Sequence, residues 1–256
     1  MKIGAQLYTL RDYCKDLPSF AETLKKVADI GYTTVQVSGT CEFEADWLKT
    51  ELEKNGLQCV LTHTAPQKLR EQLDKVCTDH KVLGCGCVGL GMYSFQMDDL
   101  AASYQAFVDI YKPIAKALKD NGLYFMYHNH HREFARLDGQ TLMLCMAQDF
   151  TPDEMGFTLD TFWVQAGGAN PAEYIRLLSG RLPCIHLKDY AFAATGKFTD
   201  NIAVVGEGNI NFNDVINAAA DAGTEYLLVE QDDCHGEDPF DCMKRSYQNL
   251  RALGLD

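Results

Sequence analysis

The sequence predicts an α/β protein built as a single (β/α)8 barrel of the TIM type, and three observations carry that prediction. Its 256 residues match the roughly 250 typical of the fold. Short apolar segments alternate with helix-like segments along the whole chain. A glycine repeatedly closes a helical segment just before the next apolar run, at Gly31, Gly56, Gly122 and Gly223, with Gly84 and Gly180 in the same role. Glycine reaches the left-handed conformation that ends a helix at little steric cost.

The strand candidates lie near 2–9, 33–39, 58–64, 86–92, 123–130, 157–163, 184–190 and 226–232. They are short and apolar, as strands covered on both faces are. Between them, Leu100, Tyr104, Phe107, Tyr111, Ile114 and Leu118 fall on one helical face. Phe240, Met243, Tyr247 and Leu250 do the same, and Phe20, Leu24 and Val27 make a shorter stripe. The helical signal is weakest around 139–148. Eight strands separated by helices close into a barrel. An open doubly wound sheet is the alternative, but Gln6-Leu7-Tyr8-Thr9-Leu10-Arg11 is not the Gly-rich phosphate turn that fold usually carries after its first strand. With no linker or low-complexity stretch, residues 1–256 are expected to form one domain.

Composition narrows the function by exclusion. At 46% hydrophobic and 23% charged residues the chain is an ordinary globular one. Its N-terminus turns polar at once, and no run approaches the roughly 18 apolar residues of a membrane span. A cytoplasmic location is therefore expected, with no membrane partner. The net charge of −13 disfavours nucleic acid, whose non-specific binding rests on basic residues. Ten cysteines lack the regular spacing of a disulfide framework, so free thiols are expected.

The chemistry-bearing residues gather at strand ends. Of seven histidines, His63, His128, His130, His131 and His186 lie at or just beyond the C-terminal ends of predicted strands, His235 follows the last strand, and only His80 falls in a helix. Those ends face the catalytic mouth of this barrel. Asp160, Lys188, Asp189, Glu230 and Asp232 reach the same level, and Glu133 follows strand five in the covering loop. Carboxylates buried there without a cation would cost several kcal/mol in desolvation, a penalty that one divalent metal removes. Mixed carboxylate and imidazole ligation points to Mn²⁺, Zn²⁺, Co²⁺ or Fe²⁺ and not to a thiolate-demanding site, with Mg²⁺ a further candidate and the identity left open.

The ordered set His128-Asn129-His130-His131-Arg132-Glu133-Phe134, Leu159-Asp160-Thr161, His186-Leu187-Lys188-Asp189, Gly206-Glu207-Gly208 and Val229-Glu230-Gln231-Asp232 resembles the sugar phosphate isomerase/epimerase family over essentially the whole chain. That family has the xylose-isomerase-like TIM barrel shared by inosose dehydratases and ketose 3-epimerases. The resemblance implies metal ligands Glu133, Asp160, His186 and Glu230, with Glu133 and Glu230 also serving catalysis. The strand-five ligand stays open, because His128 or His130 can replace Glu133. His130 reads as a general base or substrate contact, and Lys188 as an oxyanion or hydroxyl contact or an ion-pair partner of Asp189. His63 and Glu207 are substrate-binding candidates; Trp163, Tyr8 and Phe95 either stack on a sugar ring or fill core. Gly167-Gly168-Ala169-Asn170 is either a phosphate site or a plain connection.

The resemblance implies an isomerase or epimerase acting on a sugar, sugar phosphate or keto-inositol by proton transfer next to a carbonyl, through an enediolate that the metal stabilises. A lyase or dehydratase using the same metal site is the alternative. An endonuclease IV-like repair enzyme is a more distant one, since strands one, two and four end without ligands, and a binding barrel without catalysis is another. A homo-oligomer is compatible with the sequence.

Overall fold

The computed structural model describes residues 1–192 and 200–255. Eight parallel strands form and close: β1 (Lys2–Gln6), β2 (Thr34–Val37), β3 (Gln58–His63), β4 (Cys87–Leu90), β5 (Tyr124–His128), β6 (Met155–Asp160), β7 (Cys184–Leu187) and β8 (Tyr226–Val229). Each pairs with the next in sequence, and β8 returns to β1 through Lys2↔Tyr226 to Ala5↔Val229. The (β/α)8 barrel expected from the sequence is the observed fold.

Helices α1 (Leu17–Ile30), α2 (Ala45–Lys54), α3 (Leu73–Leu83), α4 (Leu100–Asp120), α5 (Leu142–Asp149), α6 (Pro171–Leu177), α7 (Phe212–Asp221) and α8 (Pro239–Ala252) follow the strands in turn. Local chemistry sets their ends. Asp16 and Ser19 cap α1 reciprocally, and the chain leaves that helix at Gly31 with φ 122°. All six predicted closing glycines have positive φ. Tyr104, Phe107, Tyr111 and Leu118 turn one face of α4 onto the sheet and are buried. The weak helical signal near 139–148 is α5.

The strands are shorter than expected at their C-terminal ends, and the differences place the site. The first strand stops at Gln6, whose side chain accepts the Tyr8 amide and starts a 3-10 turn over Leu7–Tyr13. The sixth stops at Asp160, whose carboxylate accepts the Trp163 amide and caps a short helix, Thr161–Ala166. Trp163 is thus helical, and Glu230 and Asp232 stand just past a strand. Two antiparallel hairpins, Asp189–Phe192 with Asp200–Ala203 and Arg136–Leu137 with Gln140–Thr141, add to the loops.

Inside the barrel a small apolar cluster of Val60, Leu61, Met126, Cys184 and Leu228 is separate from the larger core between sheet and helices. Strand side chains alternate in direction. Two residues beyond Met126, Cys184 and Leu228 stand His128, His186 and Glu230, so the apolar floor and the polar site above it are one continuous inward face.

Candidate metal centre and active site

Four buried donors converge at the C-terminal end of the barrel. One atom each from His128, Asp160, His186 and Glu230 lies within 4.8 Å of every other. Asp160 Oδ2 is 3.4 Å from His128 Nε2 and 3.7 Å from His186 Nδ1, which is itself 2.9 Å from Glu230 Oε2.

Hydrogen bonds behind the cluster aim both imidazoles. His128 Nδ1–H donates to the Gly91 carbonyl at 2.9 Å, which leaves the Nε2 lone pair in the cluster. His186 Nε2–H donates to Gln36 Oε1 at 2.5 Å, from the opposite side of the barrel, which leaves Nδ1 there. Such outer contacts fix the tautomer of metal-ligating histidines. His186 Nδ1 makes no hydrogen bond of good geometry despite its closeness to Glu230. A lone pair and a carboxylate oxygen facing each other in a buried space call for a cation between them.

The charge count agrees. Lys188 Nζ lies 3.5 Å from Asp160, 3.3 Å from Glu230 and 2.7 Å from Asp232. Three carboxylates around one ammonium leave an excess of two negative charges, which one divalent cation neutralises; uncompensated buried charge is costly. With protein groups alone, burial works against charge on His186, but Glu230 and Asp160 outweigh it and push the imidazole up to about 9. A proton on His186 and a cation at the centre are alternative answers to the same field. Burial likewise opposes charge on Lys188, and the three carboxylates raise its pKa instead. The donor set therefore fits a divalent metal.

The sequence motifs around the ligands hold them in place. Asn129 Oδ1 accepts the Asp160 amide at 3.0 Å, which ties the His-Asn-His segment to the end of β6. Thr161 Oγ1 donates to the Lys188 carbonyl and accepts the Lys188 amide, pinning the end of β7. Above the cluster opens a cavity of about 440 Å³ lined by Tyr8, Ser38, His63, His130, Lys188 and Asp232, among others. This is the size and place of a small-molecule site.

A family model described as xylose isomerase-like TIM barrel matches residues 24–253. The chain belongs to that family. No curated protein matches the sequence. Among solved structures, a sugar phosphate isomerase/epimerase from Parabacteroides distasonis superposes with TM-score 0.79 at 21% identity, covering 98% of this chain and 94% of that one. An L-ribulose 3-epimerase gives TM-score 0.74 at 16% identity, over 99% and 94% of the two chains. A probable 3-DHS dehydratase from Bacillus anthracis gives 0.71 at 15%, over 98% and 99%. At these identities the likeness is one of fold.

In this xylose isomerase-like barrel the sequence-derived candidates separate. Asp160, His186 and Glu230 come together, and their strand-five companion is His128. Glu133 stands outside the donor set, with Oε1 accepting the Tyr127 hydroxyl at 2.6 Å and Oε2 the His130 amide at 2.8 Å. The reason is alternation. Tyr127 faces away from His128 and packs on Phe107 of α4, and the loop folds Glu133 back to that outer side. Lys188 meets Asp160, Glu230 and Asp232, whereas Asp189 accepts the amides of Gly206, Gly208, Ile210 and Tyr190. Glu207 turns outward into an ion pair with Arg245.

Tyr8, His63 and His130 line the mouth. Burial and the neighbouring His128 hold His130 down to about 3, so it is neutral. Trp163 lies 5.2 Å from Lys188 Nζ and stacks near His130 and His131, with its indole N–H buried and unpartnered. Phe95 is core, packed on Tyr93 and Phe107. His131 and His235 are exposed. Asn170 of the glycine-rich segment caps α6 with its own side chain. The sequence reading missed Gln36 and Ser38. Their signal was available: Thr34, Gln36 and Ser38 form a polar period-two row in an otherwise apolar strand.

Proposed function

We propose that this protein is a divalent-metal-dependent enzyme that moves a proton next to the carbonyl of a keto-sugar or keto-inositol, using one base from one side. His128, Asp160, His186 and Glu230 would hold a divalent cation, which would supply Lewis-acid polarisation of a substrate carbonyl. Glu230, at the cavity edge, is the carboxylate placed to take the acidified C–H proton. The Lys188 ammonium, fixed by three carboxylates, offers its charge where an oxyanion develops. His130 and His63 are neutral rings at the cavity wall and orient hydroxyls.

The observation that carries this reading is His128 in the strand-five position, with both Glu133 oxygens engaged elsewhere. Epimerisation calls for acid/base groups on opposite sides of the reacting carbon. Here Glu230 is the one cluster glutamate, and the other carboxylate at the cavity, Asp232, holds Lys188 at 2.7 Å. One-sided chemistry favours isomerisation, or β-elimination as in a dehydratase, over epimerisation.

The test is incubation of metal-loaded protein with ketoses and keto-inositols in D₂O. Deuterium should appear at the carbon next to the carbonyl in an isomer or in recovered substrate, or the substrate should lose its α-proton and a β-hydroxyl together to give an unsaturated product and water. Absence of both exchange and elimination across the panel would defeat the reading, and an epimer formed with solvent deuterium would replace it with a two-base mechanism.

A further inference from the structure

The mouth cavity has a neighbour. A second cavity of about 240 Å³ opens between the ends of β2 and β3 and the flank of α3, and the two share Ser38, Gly39, His63, Thr64 and Ala65 as a common wall. By itself the second is below the usual size of a small-molecule site; taken with the adjoining mouth, the space lies well within that range.

A fixed hydrogen-bond chain runs along its wall and takes no part in the chemistry proposed above. His80, buried on α3, has Nδ1 2.7 Å from the Val76 carbonyl, so Nδ1 carries the proton and donates. His80 Nε2 then accepts from the Thr62 hydroxyl at 2.9 Å. The Thr62 oxygen in turn accepts from the Thr64 hydroxyl at 3.0 Å. Each donor is committed, which leaves Thr64 presenting acceptor lone pairs at the junction of the two cavities. Burial lowers the His80 pKa and keeps the ring neutral, so this polarity holds near neutral pH. On the other side of that wall His63 Nδ1 lies 3.1 Å from the Ser38 hydroxyl, while His63 Nε2 is buried without a partner. Gly91 leaves the space for this ring, since a Cβ there would sit 3.0 Å from His63 Nδ1. Val37, Phe43 and Val76 give the second cavity an apolar side. Oriented hydroxyl partners against an apolar side match a sugar ring, which carries hydroxyls at its edge and C–H groups on its face.

We propose that this second cavity is a subsite for the second unit of a glycosidically linked, two-unit ligand whose first unit occupies the mouth. The proposal rests on the functional reading above only in seating the first unit beside the metal ligands.

Cys41 lines the second cavity and is half-buried, while Cys145, also half-buried, lies on α5 and lines neither cavity. Alkylation of both by iodoacetamide, followed by mass spectrometry on the full chain, reports occupancy without catalysis. The probes are maltose, cellobiose, lactose and sucrose, set against glucose, fructose and xylose. At least one disaccharide should slow Cys41 alkylation about fivefold with Cys145 unchanged, and the monosaccharides should leave both alone. Thr40→Trp, which fills the cavity from a loop, should abolish the protection. Thr64→Val should weaken disaccharide binding by about 3- to 10-fold, the range of one lost hydrogen bond. Protection by none of the four disaccharides, equal protection by monosaccharides, or protection surviving Thr40→Trp overturns the subsite. Disaccharide protection in a protein that exchanges no deuterium leaves the subsite standing and removes the proposed reaction; exchange on ketoses without protection does the reverse.

Discussion

The rim of the barrel divides into two halves of different chemistry. Residues lining the mouth from the β1–β4 side, among them Tyr8, Ser38, His63, Thr64 and Gly91, carry no formal charge, whereas those from the β5–β8 side include Lys188, Glu230 and Asp232 beside the His128 and Asp160 donors. The difference follows from how charge is buried. Groups that must share counter-charges have to touch, and neighbouring parallel strands bring their inward positions together at the same height: Asp160 is in register with His186, and His186 with Leu228, two residues before Glu230. The neutral half has no such constraint and is free to be shaped by glycines and hydroxyls. Gln36 is one side chain that crosses between the halves, holding His186 from β2, as His128 crosses to the Gly91 carbonyl. On the proposed function, the charged half would carry the chemistry and the neutral half the recognition.

That division breaks or holds on a graded series of variants. The largest effect belongs to the charged half: Asp160→Asn should reduce metal affinity by more than about 100-fold, beyond the 10–100-fold typical of groups behind the ligands. Chelation of the wild-type protein should act in the same direction, lowering Tm by roughly 5–10 °C when metal had been present at about 100 times its Kd. Isothermal titration and thermal melts check both, and retention of full metal in Asp160→Asn would show the cluster to be a salt-bridge network alone.

The next comparison sits within strand five. His128→Ala should lose metal on a similar scale. Glu133→Gln should keep it, yet destabilise the fold by about 1–3 kcal/mol, because an amide cannot accept from both Tyr127 and the His130 amide as the carboxylate does. If Glu133→Gln instead empties the site while His128→Ala fills normally, the ligand set built on Glu133 is the right one.

Gln36→Leu tests the crossing contact. Freed from its partner, His186 should bind metal about 10- to 100-fold more weakly, although Gln36 touches no metal. An unchanged affinity would mean the two halves are independent. The smallest effect belongs to the neutral half: Ser38→Ala should leave metal content unchanged and raise KM by less than about 10-fold, the reach of one hydrogen bond, with kcat nearly constant. A large fall in kcat would place chemistry on the neutral side and erase the distinction.

Much of this site was legible because barrel strands convert sequence order into spatial order. Asp160, His186 and Glu230 each end an apolar run, and parallel pairing alone carries them to one rim. His128 was legible as a strand-end histidine, but whether it or Glu133 completed the set depended on where a loop turned after Asn129. Glu207 shows the same limit: its flanking glycines are used by Asp189, and its own side chain leaves the mouth for Arg245. From sequence Trp163 reads as the end of a strand because apolar residues run past Asp160, and periodicity over so few positions does not separate a strand end from the first turn of a helix.

By itself the sequence determined the alternation of strands and helices, the glycines that close the helices, and the carboxylates and histidines that must lie at strand ends, since these follow from period, propensity and capping within a few neighbouring residues. Tertiary structure alone decided which of those groups touch. The outward turn of Glu133, the reach of Gln36 across the barrel to His186 and the meeting of two cavities at His63 and Thr64 all join residues distant in sequence or separated by a loop. Their placement is set by loop paths and by packing against other elements, which no local pattern of residues encodes.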